Sequence, residues 1–301
     1  MGSNMGLAAS VIIATRNRSA LLARMLRSLD RALVAAGDGT EIIIVDNGSA
    51  DNTAAVADEW VKRAPGRARI FVPEPGKAHA LNRGLELARA PLVAFTDDDV
   101  EIRPDWLREI LAFFSAHPHY SAAMGRVLLP PDMTDPDVRA RVAYYRTIPL
   151  FDSGDAVHHD RHLYGANMAV RHAVFDCVGL FNERLGPGAS GLHEDGDLAN
   201  RILAAGLHIG YMPNAVVYHA VEPDRLTFEY FRHLHLRDAR SRFAMNPDGS
   251  WTRSLAHLVG ATVVFSWWSF LRNSRQRMRA RGQMICHGEL LRLRWRAGRR
   301  V

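Results

Sequence analysis

Residues 92–99 read LVAFTDDD: four apolar side chains and a threonine run straight into three consecutive aspartates, Asp97, Asp98 and Asp99. A short continuous apolar run of this kind predicts a strand buried on both faces. Three carboxylates at its end repel one another unless a partner charge offsets them. The neighbouring sequence repeats the pattern. ASVIIA (9–14), EIIIVD (41–46) and RIFV (69–72) are further apolar runs. Between them lie segments of helical period: LLARMLRSLDRAL with apolar Leu22, Met25, Leu26, Leu29 and Leu33, a stretch from Thr53 to Arg63, and HALNRGLELARA at 79–90. This alternation predicts an α/β fold, a Rossmann-like, mostly parallel sheet flanked by helices, with ligands bound at the carboxyl ends of the strands.

Beyond the aspartates a helix is expected from about Pro104, where proline suits the first turn. Residues 130–163, rich in proline, aspartate and histidine, predict a helix-containing excursion over the site. Regular structure resumes with YGANMAVRHAVF and with HEDGDLANRILAAG, a helix ended by Gly206. IGYMP and AVVYHA are expected as two short strands.

A chain of 301 residues with 48% apolar and 23% charged side chains buries a sizeable core, which excludes intrinsic disorder. Cys177 and Cys286, far apart and without CxxC spacing, suggest neither a disulfide framework nor a zinc site and fit a reducing compartment. The N-terminal stretch has no basic segment followed by a long apolar one, so no secretory signal is expected. The net charge of +6 is unevenly spread. From Arg240 onward there are thirteen arginines, no lysine and two acids, a net +11, which leaves −5 for residues 1–239.

The polar residues fall where the fold places ligands: Thr15, Arg16 and Asn17 after the first strand, Asp46 and Asn47 after the second, the aspartates after the fourth. No GxGxxG follows the first strand, which argues against a dinucleotide cofactor. Adjacent acids at such a tip suit Mg2+ or Mn2+, which prefer carboxylate oxygen and share their shell with substrate phosphates. An acidic turn or helix cap is the plainer alternative. Asp97 and Asp99 share a face of an extended segment.

VIIATRNR, VDNGSADNT, GKAHALNRG, FTDDD, GANMAVR, FNERLGPG, HEDGDLANRI and VVYH occur in an order that resembles glycosyltransferase family 2, inverting enzymes of the GT-A fold. The resemblance covers roughly residues 8–245. It implies a nucleotide-sugar-binding half (8–120), an acceptor-binding and catalytic half (121–230) and a basic helical C-terminal extension (231–301). It also implies a nucleoside diphosphate sugar donor, UDP foremost, a saccharide or lipid-linked saccharide acceptor, and a role in bacterial cell-surface polysaccharide synthesis.

Residue by residue, the resemblance implies that Asp46 meets the nucleobase. Thr15, Arg16, Asn17, Asn47, Lys77, Asn82, Asp97 and Asp98 would line the rest of the donor. Asp97 and Asp99 would serve the metal, with His219 a further ligand. Asp195 would be the general base, with Asn167 and Glu194 on the acceptor side. Glu194 and Asp197 compete with Asp195, and in a helix Asp195 and Asp197 stand about 200° apart. Helix capping also explains an acid at this position. His219 ending AVVYH is equally explained as a structural group, Arg225 is a further candidate for the diphosphate, and His158, His159 and His162 are expected at the surface or along the acceptor site.

Residues 254–271, SLAHLVGATVVFSWWSFL, carry no formal charge, and as a helix they extend about 27 Å, just short of a bilayer core. A positive tail suits either nucleic acid or an anionic membrane. Trp267 and Trp268 beside the arginines favour peripheral contact of residues 252–301 with an anionic membrane. No nucleic-acid partner is expected, and the protein is placed in the cytoplasm, on the cytoplasmic face of the inner membrane. Two rivals remain: a sugar-nucleotide-forming nucleotidyltransferase, which ATRNR in place of a glycine-rich phosphate loop disfavours, and a non-catalytic scaffold, which the presence of both DDD and HED disfavours.

Overall fold

A computed structural model describes residues 6–298. The chain forms two compact units that interleave in sequence, whereas the segments expected above are consecutive. The first holds the chain up to Pro130 together with Leu150–Glu183 and Glu194–Ala220; the second holds Pro131–Pro149, Arg184–His193 and the chain from Val221 on.

The first unit begins with β1 (Ala9–Thr15), α1 (Ser19–Ala36), β2 (Thr40–Asp46), α2 (Thr53–Val61), β3 (Arg67–Phe71), α3 (Lys77–Leu85) and β4 (Leu92–Asp97). These four strands lie side by side in the order β3-β2-β1-β4, all parallel. Parallel strands need crossover helices, and those helices cover both faces. One core packs Val11, Ile13, Ile42 and Ile44 against Leu22, Met25, Leu26 and Leu29 of α1, and the opposite core packs Ile12, Ile43, Val45 and Phe95 against Leu81 and Leu85 of α3.

Helix α3 starts at Lys77 and stops at Leu85, shorter than the stretch 79–90 expected for it. Ala90 precedes Pro91, which disfavours helical backbone. Glu41 also holds the chain just beyond the helix, accepting from the backbone and guanidinium of Arg89 at 2.6 to 2.9 Å.

The sheet continues with β5 (Val100–Ile102), then, after α4 (Trp106–Ala116), β6 (Tyr120–Leu128). After α5 (Pro136–Tyr145) in the second unit, the chain supplies β7 (His159–Asp160), β8 (Asn167–Arg171), α6 (Val174–Val178), α7 (Glu194–Ala204) and β9 (His208–His219) to the first. Beyond β4 the sheet order is β8-β6-β9-β5, with β8 antiparallel to both β4 and β6, so a parallel half meets a mixed half. Residues expected as two short strands form one, β9, whose pairing with β6 jumps from Met212 to Val216. A bulge there absorbs Pro213, which has no N–H to give to a ladder.

In the second unit α8 (Phe228–Met245), α9 (Trp251–Phe270) and α10 (Ser274–Gly298) join α5. Among the described residues no helix is long and apolar enough to cross a membrane. Helix α9 nevertheless exposes Leu255, Val259, Val263, Trp267 and Phe270, with Phe270 80% exposed.

Candidate active site

Parallel register sets the first side of the site. Thr15 lies opposite Asp46, and Ala14 opposite Asp97, so three strand tips end together. The tips are tied to one another. Asn17, at φ +52°, accepts the Ala50 N–H at 2.7 Å and donates its own N–H to Ser49 at 3.0 Å. Asp46 is fully buried, accepts the Ser49 N–H at 3.0 Å and lies 3.4 Å from the Arg69 guanidinium. Asn47 donates to the carbonyls of Val72 and Glu74 and accepts the Gly76 N–H, so its carboxamide fastens the turn before α3. That turn needs glycine at 48, where φ is +72° and a Cβ would sit 2.9 Å from the Pro73 carbonyl oxygen. Arg16 is exposed at the tip of β1.

The repulsion posed by the three aspartates is met by two cations. Lys77 Nζ lies 2.5 Å from Asp97 Oδ1. Arg18 donates to Asp98 Oδ1 at 2.8 Å and to Asp99 Oδ2 at 2.9 Å, and the Thr15 hydroxyl donates to Asp98 Oδ2 at 2.7 Å. Burial, with help from the Asp99 charge, still pushes the Asp98 carboxyl up to about 6, against Arg18 and Thr15. Arg18 is the site residue that sequence reading missed; its only signal is its place in TRNR beside Thr15 and Arg16.

Antiparallel pairing of β5 with β9 sets Val100 opposite His219, which brings His219 beside Asp99. His219 Nδ1 is 2.8 Å from the Ala220 carbonyl oxygen, so it carries the proton and donates. Nε2 lies 3.5 Å from Asp99 Oδ1, with both residues buried. A carboxylate oxygen and an imidazole nitrogen side by side are donor types that suit a divalent ion. Among the described residues no group of three or more His, Cys, Asp or Glu side chains is arranged to hold a metal. Asp99 and His219 offer two donors of suitable type, and a cation held there would need substrate oxygens and water for the rest of its shell. Asp97, expected as a further ligand, faces Lys77 through Oδ1.

Helix α7 brings the second side. Its first turn carries Glu194, Asp195 and Asp197, where exposed N–H groups favour acids. Asp195 Oδ2 accepts the Gly165 N–H at 3.0 Å and Oδ1 its neighbour Gly196 at 2.7 Å. Asp197 is turned to Arg201 at 2.9 Å, which removes it from the competition with Asp195. Glu194 is buried, 3.6 Å from Lys77 Nζ. Burial pushes its carboxyl up to about 7, Lys77 opposes the rise, and Asp195 and Asp97 add to it. Burial also works against the Lys77 charge, but Asp97 and Glu194 more than restore it and hold the ammonium above its ordinary range. Gly165 keeps this space open, since a Cβ there would lie 3.1 Å from Lys77 Nζ and 3.8 Å from Asp195 Oδ2.

Two expected contacts face elsewhere. Asn82, expected at the donor, is buried and exchanges hydrogen bonds with the backbone of Phe181 while donating to Glu183 at 2.9 Å. Asn167, expected at the acceptor, is wholly buried: it donates to the carbonyls of Arg126 and Ala215 and accepts from the Trp106 indole, all at 2.8 Å. Both carboxamides hold elements together, a duty that their motif context did not announce. The His158 ring packs tilted against Tyr211, His159 joins the rings of Tyr120 and His208, and His162 pairs with Asp160.

The sequence and the fold have counterparts among known proteins. A validoxylamine A glucosyltransferase of Streptomyces hygroscopicus is 39% identical over 105 residues, 34% of this chain and 24% of its own. The pre-mycofactocin glycosyltransferase of Mycobacterium tuberculosis is 29% identical over 214 residues, 70% of this chain and 42% of its own. The chain thus spans well under half the length of these two relatives. A mannosyltransferase from Pyrobaculum calidifontis, solved in complex with GDP-Man and Mn2+, superposes with a TM-score of 0.56 at 19% identity, covering 98% of this chain and 74% of its own, which shows a shared fold. The sequence profile of Glycosyl transferase family 2 matches residues 10–179, more than half of the 301, and the chain belongs to that family.

Proposed function

We propose that the protein is a metal-dependent inverting glycosyltransferase. It moves a sugar from a nucleoside diphosphate sugar, UDP foremost, to a hydroxyl of a saccharide or lipid-linked saccharide in bacterial cell-surface polysaccharide synthesis. The observation that carries the reading is the bridge made by Lys77, which reaches Asp97 at the strand tips and Glu194 beside Asp195. It joins a carboxylate cluster suited to a diphosphate-bound cation with a carboxylate suited to proton transfer. The Pyrobaculum complex with GDP-Man and Mn2+ supports this reading and keeps GDP beside UDP as a donor nucleotide.

In this reading residues 8–120 bind the donor, with Asp46 toward the base and Thr15, Arg16 and Asn17 along the base and ribose. Residues 121–230 present the acceptor, and residues 231–301 form a basic helical extension. Asp99 and His219 hold Mn2+ or Mg2+, which when bound stabilises charge on the departing diphosphate as a Lewis acid. Arg18 and Lys77 keep Asp97, Asp98 and Asp99 together and set their charge. Asp195 accepts the proton of the acceptor hydroxyl as its oxygen bonds to the anomeric carbon. The bond from that carbon to the diphosphate breaks on the opposite face, so configuration inverts and the nucleoside diphosphate leaves with the electron pair. A positioned base contributes about 10² to 10⁴-fold. Asp195→Asn should therefore fold and bind nucleotide with Mn2+ yet lose transfer by that factor, and turnover near wild type would remove Asp195 as the base.

A second reading rests on the Glu194 carboxyl, whose value of about 7 suits a proton acceptor near neutral pH. It requires Glu194→Gln to lose transfer while Asp195→Asn keeps it. For the extension, the exposed apolar face of α9 and the arginines support peripheral contact with an anionic membrane on the cytoplasmic side.

A further inference from the structure

The second unit has a cavity of about 500 Å³ lined from α5, α8, α9 and α10. Its walls carry three arginines, Arg146, Arg242 and Arg279, and three histidines, His235, His257 and His287, against one acid, Asp238. Asp238 is already engaged: it lies 2.8 Å from the Arg242 guanidinium and 2.6 Å from His193 Nε2, and it accepts from the Cys286 thiol at 3.3 Å. Arg242 is therefore matched, while Arg146 and Arg279 pair with no carboxylate among the described residues.

The histidines report the same imbalance. The His287 ring stacks on His257 with centroids 4.9 Å apart and planes 14° apart. Its Nδ1 is buried and has no hydrogen-bond partner. Burial first, then the positive neighbours His257 and Arg242, hold His287 below the ordinary histidine value, and burial does the same to His235. A half-enclosed space whose walls carry three guanidinium groups against one carboxylate suits an anion with several acceptor oxygens.

Planar guanidinium forks match phosphate oxygens in pairs, which favours a phosphoryl group over a single carboxylate. The volume lies in the range of small-molecule sites and exceeds that of a lone phosphate. Tyr144, Tyr145 and Phe231 supply apolar wall for whatever the phosphate is attached to.

We propose that this cavity is a phosphoryl-anion site, taking the phosphate or diphosphate group of a larger molecule. The inference does not depend on the transfer reaction. That molecule is either a soluble phosphate ester or a lipid headgroup, the latter because α9 carries both His257 on the cavity wall and the exposed row Leu255, Val259, Val263 and Trp267.

The test is calorimetric titration of the full chain with inorganic pyrophosphate in EDTA, which strips divalent ions. One-site binding is expected, and Arg146→Gln with Arg279→Gln should weaken it about a hundredfold, roughly tenfold per lost charged pair. Both side chains are exposed, so the double variant should fold. Arg279→Lys, which keeps the charge and loses the fork, should weaken binding less than Arg279→Gln does, and Asp99→Asn in the first unit should leave pyrophosphate binding intact, which separates failure here from failure of the transferase reading. Retention on phosphatidylcholine vesicles containing phosphatidic acid, competed by pyrophosphate, would identify a lipid headgroup. Binding of glycerol phosphate without such retention would identify a soluble ester. Absence of pyrophosphate binding, or equal binding by wild type and the double variant, overturns the proposal.

Discussion

The strand tips of the first unit and the cavity of the second gather charge with opposite surpluses. At the tips, Asp97, Asp98, Asp99, Glu194 and Asp195 outnumber Lys77 and Arg18. In the cavity, one aspartate faces three arginines and three histidines. Full internal pairing is available in principle to any protein, so a surplus left in a half-dry place identifies the charge of what is to bind there. Acid surplus calls for a cation and basic surplus for an anion.

The sharpest test of the first half of this contrast is Asp99→Asn. If the surplus holds a divalent ion, transfer should fall about 10³-fold, the equivalent of several kcal/mol of Lewis-acid stabilisation. Thermal stabilisation by nucleotide should also lose its dependence on Mn2+. Retention of that dependence would break the contrast.

Next in size is Lys77→Met, which removes the cation shared by Asp97 and Glu194. Breaking a buried pair of this kind costs about 3 kcal/mol. The loss, read by urea unfolding, should be larger at pH 8 than at pH 5.5, because Glu194 becomes neutral in acid and needs no partner.

Glu194→Gln should act in the opposite direction. The folded-state value, about 7, is raised above the ordinary 4.5, so the folded protein binds the extra proton between those limits. Its stability then falls as pH rises through that window. The glutamine variant should lack this slope, so that its stability relative to wild type rises between pH 5 and pH 8. Asp98, pushed up to about 6, contributes in the same sense between about 4 and 6. Asp238 in the second unit behaves oppositely. His193 and Arg242 overcome its burial and hold it below the carboxylate range, so its contribution is present above that range and is lost as pH falls. Asp238→Asn should therefore flatten the acid limb of the unfolding profile, whereas Glu194→Gln flattens the limb towards neutrality.

The smallest expected effect concerns α9. Trp267→Ser removes one large apolar side chain from the exposed row, and binding to anionic vesicles should weaken about tenfold. Insensitivity of vesicle binding to this change would assign the row to another role.

Much of the first unit was legible because period is a local property. The runs at 9–14, 41–46 and 92–96 lie in β1, β2 and β4, the run at 69–72 overlaps β3 up to Phe71, and the apolar positions of Leu22, Met25, Leu26 and Leu29 face the core from α1. The positions of the acids were legible where one ends a strand or opens a helix, as at Asp46, Asp97 and Asp195. Arg18 was not, because an arginine after a strand is ordinary until folding brings it to aspartates 80 and 81 residues away. Asn82 and Asn167 illustrate the converse: their motifs suggested ligands, and their amides are taken up by the backbone and side chains around them. The helix expected over 79–90 ends early because Pro91 and Glu41 act on its last residues, and only the first of those is a local signal.

By itself the sequence determined the strand and helix order, the parallel half of the sheet, the family and the concentration of arginine after residue 240, all of which follow from neighbours along the chain. The tertiary structure alone decided which cations answer which carboxylates, that Asp197 turns to Arg201 while Glu194 and Asp195 lie towards Lys77, and that the arginines and histidines of the second unit line a cavity. These depend on pairings between distant residues and on burial, and burial is what turns an ordinary carboxyl into one poised near neutrality.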